Sequence, residues 1–159
     1  MGVGLPKTEP ITENFWEKFQ GHMGYTAEEM EKFKQDPLNV KMALKMASPE
    51  IQNKTVVFEI LDVKGCHEGM RPGDKLYFKG GILLDAKRSD NWCAYAIGYA
   101  AAEVAAAFQN LIAHDVNPKE FVYKVRSCGD CGRPLSKYGF GFVLYKIYIV
   151  DEKSLEGGV

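Results

Sequence analysis

The stretch that decides the fold is residues 54–63, which read Lys54-Thr55-Val56-Val57-Phe58-Glu59-Ile60-Leu61-Asp62-Val63. The run is rich in β-branched residues, and Val56, Phe58 and Ile60 occupy one set of alternate positions. Successive side chains of a strand point to opposite faces of its sheet, so this alternation is typical of a strand with one buried face. The flanking segments are interpreted as elements that extend or cover this strand.

Three further strands are predicted around it. A loop dense in glycine and proline, residues 64–74, ends in the turn Pro72-Gly73-Asp74 and returns the chain into a strand over residues 75–78. Residues 121–126 and 138–150 also have the composition of strands. The last run is apolar on both faces, which predicts a central position in the sheet or a seam between subunits.

Two helices are predicted before the first strand. Thr26 and Glu29 have the spacing of a capping box, which predicts a helix over residues 27–35. Asp36 followed by Pro37 is a helix start, and it predicts a second helix that ends near residue 47.

The longest predicted helix covers residues 91–114, with Ser89-Asp90 as its N-terminal cap. Alanine and glycine occupy most of its circumference. A helix with so few polar positions has to be covered on most sides, either by the sheet or by a second subunit.

The order of elements predicts an α+β fold: an N-terminal helical pair, a small antiparallel or mixed sheet of about four strands, and one long alanine-rich helix. The 159 residues fit one domain, residues 1–159. Within it we expect an N-terminal arm at 1–25, the helical pair at 26–53, the α+β core at 54–150 and a frayed tail at 151–159.

Charge is balanced, with 20 basic and 21 acidic residues and a formal net charge of -1. This balance argues against nucleic acid or an anionic membrane as a partner recognised by bulk charge. The N-terminal residues lack the apolar run of a signal peptide, and we expect a cytoplasmic protein. In that compartment the four cysteines are expected to be reduced, as metal ligands or nucleophiles.

The cysteines predict a metal site. Cys128 and Cys131 are separated by two residues and each is followed by glycine, which is the spacing of a metal knuckle. The other half of a tetrahedral site has to come from Cys66 and Cys93, and His67 can replace one thiolate. Zinc fits such a set, with iron or an iron–sulfur cluster as the alternative cofactor.

Two other interpretations of the thiols stay open. Cys93, on a helix of alanines, can be a small buried hydrophobe, and the cysteines together can be inert core residues. In an enzyme, Cys66 or Cys93 can instead be an activated nucleophile, with Glu68, Asp74 or Asp130 as the acid or base. The two-histidine zinc-protease motif is absent, because Arg71 stands where its second histidine belongs.

The run Val63-x-Gly65-Cys66-x-x-Gly69-x-x-x-Gly73-Asp74, followed by an apolar strand, a cysteine at a helix start and a strand ending at Cys128, resembles a family of small prokaryotic proteins without assigned function. Members of that family typically have Gly-x-Cys-x-x-Gly-His-x-x-Gly-Asp in this loop. This chain has Met70 in place of the histidine and carries His67 instead. The resemblance covers about residues 22–150 and implies no particular reaction.

The function predicted from these residues is that of a small soluble metal-binding protein, with zinc at Cys66, Cys93, Cys128, Cys131 or His67. It would act as an accessory or binding subunit, in a homo-oligomer or with a larger protein partner. The alternative is a small metal- or cysteine-dependent enzyme that acts on a small molecule, with its site around Cys66, Cys128 and Cys131.

Overall fold

The computed structural model describes residues 14–66, 68–80, 82–90, 92–114, 117, 126–127 and 142–155. These residues form an α+β fold, as the sequence predicts. Four helices come first, then three strands, a long helix and two more strands, in the order α1 Phe15–Met23, α2 Ala27–Gln35, α3 Pro37–Ala47, α4 Pro49–Gln52, β1 Lys54–Lys64, β2 Lys75–Lys79, β3 Leu83–Leu84, α5 Ala94–Ala113, β4 Arg126–Ser127 and β5 Phe142–Asp151.

The predicted N-terminal caps of α2 and α3 are confirmed. The amide of Glu29 donates to the Thr26 hydroxyl at 3.2 Å, and the Glu29 carboxylate accepts from the Thr26 amide at 2.8 Å, which completes the capping box of α2. The bonds that the Glu29 carboxylate accepts from the amide and the hydroxyl of Thr26 hold the pKa of Glu29 below its usual range. Asp36 accepts from the amide of Leu38 at 2.8 Å and starts α3.

The aromatic residues of α1 form a second, smaller core with α2 and α3. Phe15 and Phe19 are buried there with Met30 and Ala43, and the ring centroids of Phe19 and Phe33 lie 5.3 Å apart. The aromatic segment therefore covers the N-terminal helices of its own chain.

The sheet has the strand order β3-β2-β1-β5-β4, and all the pairings are antiparallel. The described residues contribute five strands to it, and two of these contain only two residues. β5 lies between β1 and β4, which agrees with the central position predicted for it. The β1–β5 register shifts between Ile60 and Asp62, so Leu61 forms a bulge.

The main core lies between one face of the sheet and helices α3, α4 and α5. Val56, Phe58 and Ile60 of β1 are at most 1% exposed, and they belong to one cluster with residues of α5. The rings of Phe58 and Tyr145 stack with centroids 4.0 Å apart. Each large apolar side chain buried here contributes about 1.5–3 kcal/mol.

The opposite, outer face of the sheet carries a row of charges across three strands. Lys75 and Lys146 flank Glu59 in the register. The Glu59 carboxylate lies 3.1 Å from the Lys146 ammonium and accepts from the Tyr148 hydroxyl at 2.7 Å. Burial raises the pKa of Glu59, but these bonds outweigh burial and lower it overall.

The chain after β5 differs from the predicted frayed tail at residues 151–155. Glu152 begins a short 3-10 helix, Glu152–Leu155, and is 7% exposed. Its carboxylate accepts from the Thr55 hydroxyl, from Lys79 at 3.0 Å and from Arg88 at 2.9 Å. The tail prediction is wrong here because a buried carboxylate with three donors fixes the chain, and Glu152 gives no local signal of that.

Candidate metal centre

The loop that carries Cys66 folds back on β1. The amide of Gly69 donates to the carbonyl of Cys66 at 3.3 Å, and the amide of Gly73 donates to the carbonyl of Ile60 at 2.8 Å. Gly69 and Gly73 have φ values of 70° and 95°, a conformation that favours glycine. Cys66 is half-buried and packs against the main core.

Met70 stands where the resembled family has histidine. Its side chain is 5% exposed and belongs to the main core. The position therefore holds an apolar side chain in this protein, which is consistent with methionine as core filler. His67 lies outside the described residues.

The segment between β3 and α5 lies along the edge of β2. The amide of Asp85 donates to the carbonyl of Tyr77 at 2.7 Å, and Ser89 accepts from the amide of Tyr77 at 3.0 Å. Asp90 makes two bonds to Lys75: its carboxylate accepts from the Lys75 amide at 2.9 Å and its own amide donates to the Lys75 carbonyl at 2.8 Å. We call residues 85–90 the strap.

The strap corrects the predicted cap of the long helix. Ser89 and Asp90 bind the edge of β2, and the N-cap of α5 is Cys93, which makes no side-chain capping bond. The helix therefore begins at Ala94, three residues later than predicted. The prediction was wrong because Ser and Asp accept equally well from an edge-strand amide, and only the packed sheet supplies that donor.

The strap runs from Tyr77 to Lys75, towards the end of the sheet at which β1 ends and β2 begins, which we call the loop end. Asp90 is bonded to Lys75 there. Two residues separate Asp90 from Cys93, so three Cα–Cα steps of at most about 11 Å in total lead from one to the other. Cys93 is 9% exposed and belongs to the main core, against which Cys66 also packs.

β4 reaches the same end of the sheet. Ser127 is opposite Leu144, and Leu144 is opposite Asp62 of β1. Two strand spacings, about 10 Å, separate Ser127 from Asp62. Cys128 follows Ser127 directly in the sequence, but Cys128 and Cys131 lie outside the described residues.

The described part of the chain contains two of the five predicted ligands, Cys66 and Cys93, and both are free thiols. Within that part, no group of three or more histidine, cysteine or acidic side chains is arranged to hold a metal ion. A complete site therefore depends on Cys128, Cys131 or His67.

The structure describes some of the candidate acids and bases but not all of them. Asp74 accepts from the amide of Arg71 at 2.8 Å and closes the turn before β2. Asp130 lies outside the described residues. Among the described carboxyls, the large pKa shift belongs to Glu152, which the sequence analysis did not single out, and it lies beside Thr55 and Lys79, away from the loop end.

Comparisons with family models, with curated proteins and with solved structures find no match for this chain. Among the residues that the structure describes, no helix combines the length and the apolar character needed to cross a membrane.

Proposed function

We propose that this chain is a small cytoplasmic zinc protein that acts as an accessory or binding subunit. Its metal site would be built from Cys66, Cys93, Cys128 and Cys131. The observation that carries the proposal is that three separate segments lead towards the loop end of the sheet. The Cys66 loop joins β1 to β2, the strap leads to Cys93 from its bond to Lys75, and Ser127 pairs opposite Leu144.

Zinc is the proposed metal because it is four-coordinate in structural sites and prefers thiolate and imidazole ligands. Four sulfur ligands would close the site, and His67 would take one position if Cys93 remains a core residue. Iron bound by the same thiolates, alone or as a cluster, is the alternative.

The binding part of the proposal rests on the outer face of α5. Tyr95 and Tyr99 are 56% and 40% exposed and lie on one side of the helix at a spacing of four residues, and Trp92, which precedes the helix, is 53% exposed. Exposed small residues continue this face, namely Gly98, Ala101, Ala102 and Ala105. Exposed aromatic side chains next to small ones suit contact with a second copy or a larger protein, and no nucleic acid or membrane is proposed.

The enzyme alternative differs from a structural site in one ligand. A closed site has four protein ligands, whereas a catalytic site keeps one position for water or substrate. Nothing in the described geometry favours the enzyme, because the strongly shifted carboxylate, Glu152, is already bound by three donors. We therefore keep it as an outcome of the test below.

The test is metal analysis of untagged protein purified under reducing, anaerobic conditions, followed by cobalt substitution. We expect one zinc per chain, no colour, and a cobalt spectrum of four-sulfur tetrahedral coordination. Cys66→Ser, Cys128→Ser and Cys131→Ser should each lower zinc affinity at least tenfold. A spectrum of three protein ligands and water would favour the enzyme, and a folded, metal-free protein that binds no zinc would refute both.

The histidines provide a matched control. His67→Ala tests the fifth candidate ligand, and His114→Ala removes a histidine at the other end of α5, where it is the C-cap. We expect no change in metal content for His114→Ala. If metal content falls with His67→Ala but not with Cys93→Ser, the fourth ligand is His67 and not Cys93.

A further inference from the structure

We infer that Ser89 and Asp90 are positioning residues for Cys93: they hold the strap on the edge of β2 and thereby fix where α5 begins. The inference rests on the proposed function, in which Cys93 is a metal ligand. It also makes a statement about Cys93 that can be measured without metal.

Four hydrogen bonds attach the strap to β2. Asp90 bonds both the amide and the carbonyl of Lys75, and Tyr77 is bonded in the same way by Ser89 and Asp85. These bonds take the place of a neighbouring strand, because Lys75 and Tyr77 are edge residues whose outer backbone groups would otherwise face solvent. The strap is thus held at alternate residues of β2, which fixes its register.

The strap is also fixed internally. The carboxylate of Asp85 accepts from the amides of Lys87 and Arg88, and the amide of Ser89 donates to the carbonyl of Asp85 at 3.0 Å. The Arg88 guanidinium lies over the ring of Tyr77, 5.8 Å from its centroid, and donates to Glu152. A short segment held this firmly can transmit its position to the residues that follow it.

Two observations connect the strap to Cys93. The indole nitrogen of Trp92 donates to the carbonyl of Ser89 at 3.4 Å, so Trp92 is tied back to the strap. The carbonyl of Cys93 accepts from the amide of Ile97 at 2.9 Å and begins the helix. Cys93 therefore lies between a helix and a strap that are both fixed, although it makes no capping bond of its own.

Metal sites need this kind of support. Outer groups that orient the ligands typically change metal affinity 10–100-fold when they are removed. Asp90 is the principal candidate here because, of the side chains that bind β2, its carboxylate is the nearest in sequence to Cys93. Alanine removes that one bond and keeps the backbone bond to the Lys75 carbonyl, whereas asparagine keeps an oxygen that can accept from the Lys75 amide.

The experiment compares Asp90→Ala, Asp90→Asn and Asp36→Ala in the full chain. Asp36 is the matched control, because its carboxylate also accepts one backbone amide, at 2.8 Å, but starts α3 in the other cluster of the chain. Zinc affinity, the cobalt spectrum, and the rate of alkylation of Cys93 in metal-free protein, located by mass spectrometry, are measured for each.

We expect Asp90→Ala to weaken zinc binding about tenfold, to alter the sulfur-to-cobalt bands and to speed alkylation of Cys93. Asp90→Asn should be close to the wild type in all three measurements, and Asp36→Ala should be the same as the wild type. Equal behaviour of Asp90→Ala and Asp36→Ala would overturn the inference while wild-type zinc binding left the proposed function standing. If the wild type binds no zinc but Cys93 is alkylated faster in Asp90→Ala than in the wild type, the positioning of Cys93 is supported and the metal site is refuted.

Discussion

The outer face of the sheet and the outer face of α5 both point away from the main core, but they are covered differently. On the sheet, Val57 is fully buried between Tyr77 and Tyr148, which flank it in the register. Arg88 and Lys146 lie over these two rings, at 5.8 and 5.0 Å from the centroids. On α5, by contrast, Tyr95 and Tyr99 are about half exposed.

The difference shows which of the two faces is covered by side chains of this chain. Long amphipathic side chains cover the sheet, because their stems lie on apolar neighbours while their charges remain paired. Alanine and glycine have no such stems, so α5 cannot cover its own outer face. That face leaves the rings of Tyr95 and Tyr99 exposed, and three predictions test the contrast.

The largest effect is expected at the sheet, for Glu152→Gln. Burial raises the pKa of Glu152, but hydrogen bonds from Thr55, Lys79 and Arg88 outweigh it and lower the pKa to about 2. The carboxyl of the unfolded chain binds its proton near 4.5, so Glu152 stabilises the fold above that pH, and the stabilisation is lost as the pH falls towards 2. The variant should be about 3 kcal/mol less stable at pH 7.

Urea unfolding at pH 7 and pH 3 measures this effect. The difference in the free energy of unfolding between wild type and Glu152→Gln should be smaller at pH 3 than at pH 7. At pH 3 the wild type has already lost part of the stabilisation that the ionised carboxylate provides. Glu28→Gln is the control: Glu28 pairs with Lys32 at 2.8 Å on an exposed helix face, and its loss should cost less than about 0.5 kcal/mol. A gap that is the same at both pH values would contradict the assignment.

A smaller effect is expected for Tyr148→Phe. The change removes the hydroxyl that donates to Glu59 at 2.7 Å and leaves the Lys146 ion pair in place. We expect a loss of about 1 kcal/mol in the free energy of unfolding. The pKa of Glu59 should rise, because one of the bonds that lowers it is gone, and carboxyl NMR titration measures that shift.

Tyr77→Phe is the matched control for this change. Tyr77 lies on the other side of Val57. Arg88 lies over its ring, just as Lys146 lies over the ring of Tyr148. Equal losses from the two tyrosines would mean that removal of a hydroxyl from this face in general, and not the hydrogen bond to Glu59, explains the effect.

The smallest effect on stability is expected on α5. The double change Tyr95→Ser and Tyr99→Ser removes two exposed rings and should alter the free energy of unfolding by only about 0.5 kcal/mol. Self-association, or capture of a larger partner, should nevertheless be lost, as sedimentation and co-purification measure. Met23→Ser, at an exposed site on α1, should leave association unchanged. A loss of stability above about 2 kcal/mol would mean that this face is part of the fold.

Much of the fold follows from local signals. The capping box of Thr26 and Glu29 and the start at Asp36-Pro37 fix α2 and α3 to the residue, because these caps act within a few residues of the chain. β1 was predicted from alternation, and the structure extends it by one residue to Lys64.

Other features depended on partners distant in sequence. The cap assigned to Ser89 and Asp90 failed because the donors they meet belong to Lys75 and Tyr77. Glu152 has partners at 55, 79 and 88, and no spacing in the sequence connects these positions. Of the candidate metal site, the thiols of Cys66 and Cys93 were assigned from sequence, and their closure with Cys128 and Cys131 stays a prediction.

By itself the sequence determined which segments are helices and strands, because hydrophobic period and capping chemistry act over a few neighbouring residues. It also determined which residue types are present that are able to bind a metal. Only the tertiary structure decided that the strap covers the edge of β2, that Glu152 is buried in a ring of donors, and that the aromatic side of α5 stays exposed. Those outcomes depend on which backbone and side-chain groups meet after the sheet has paired, and pairing joins residues up to about a hundred positions apart, as between Lys54 and Asp151.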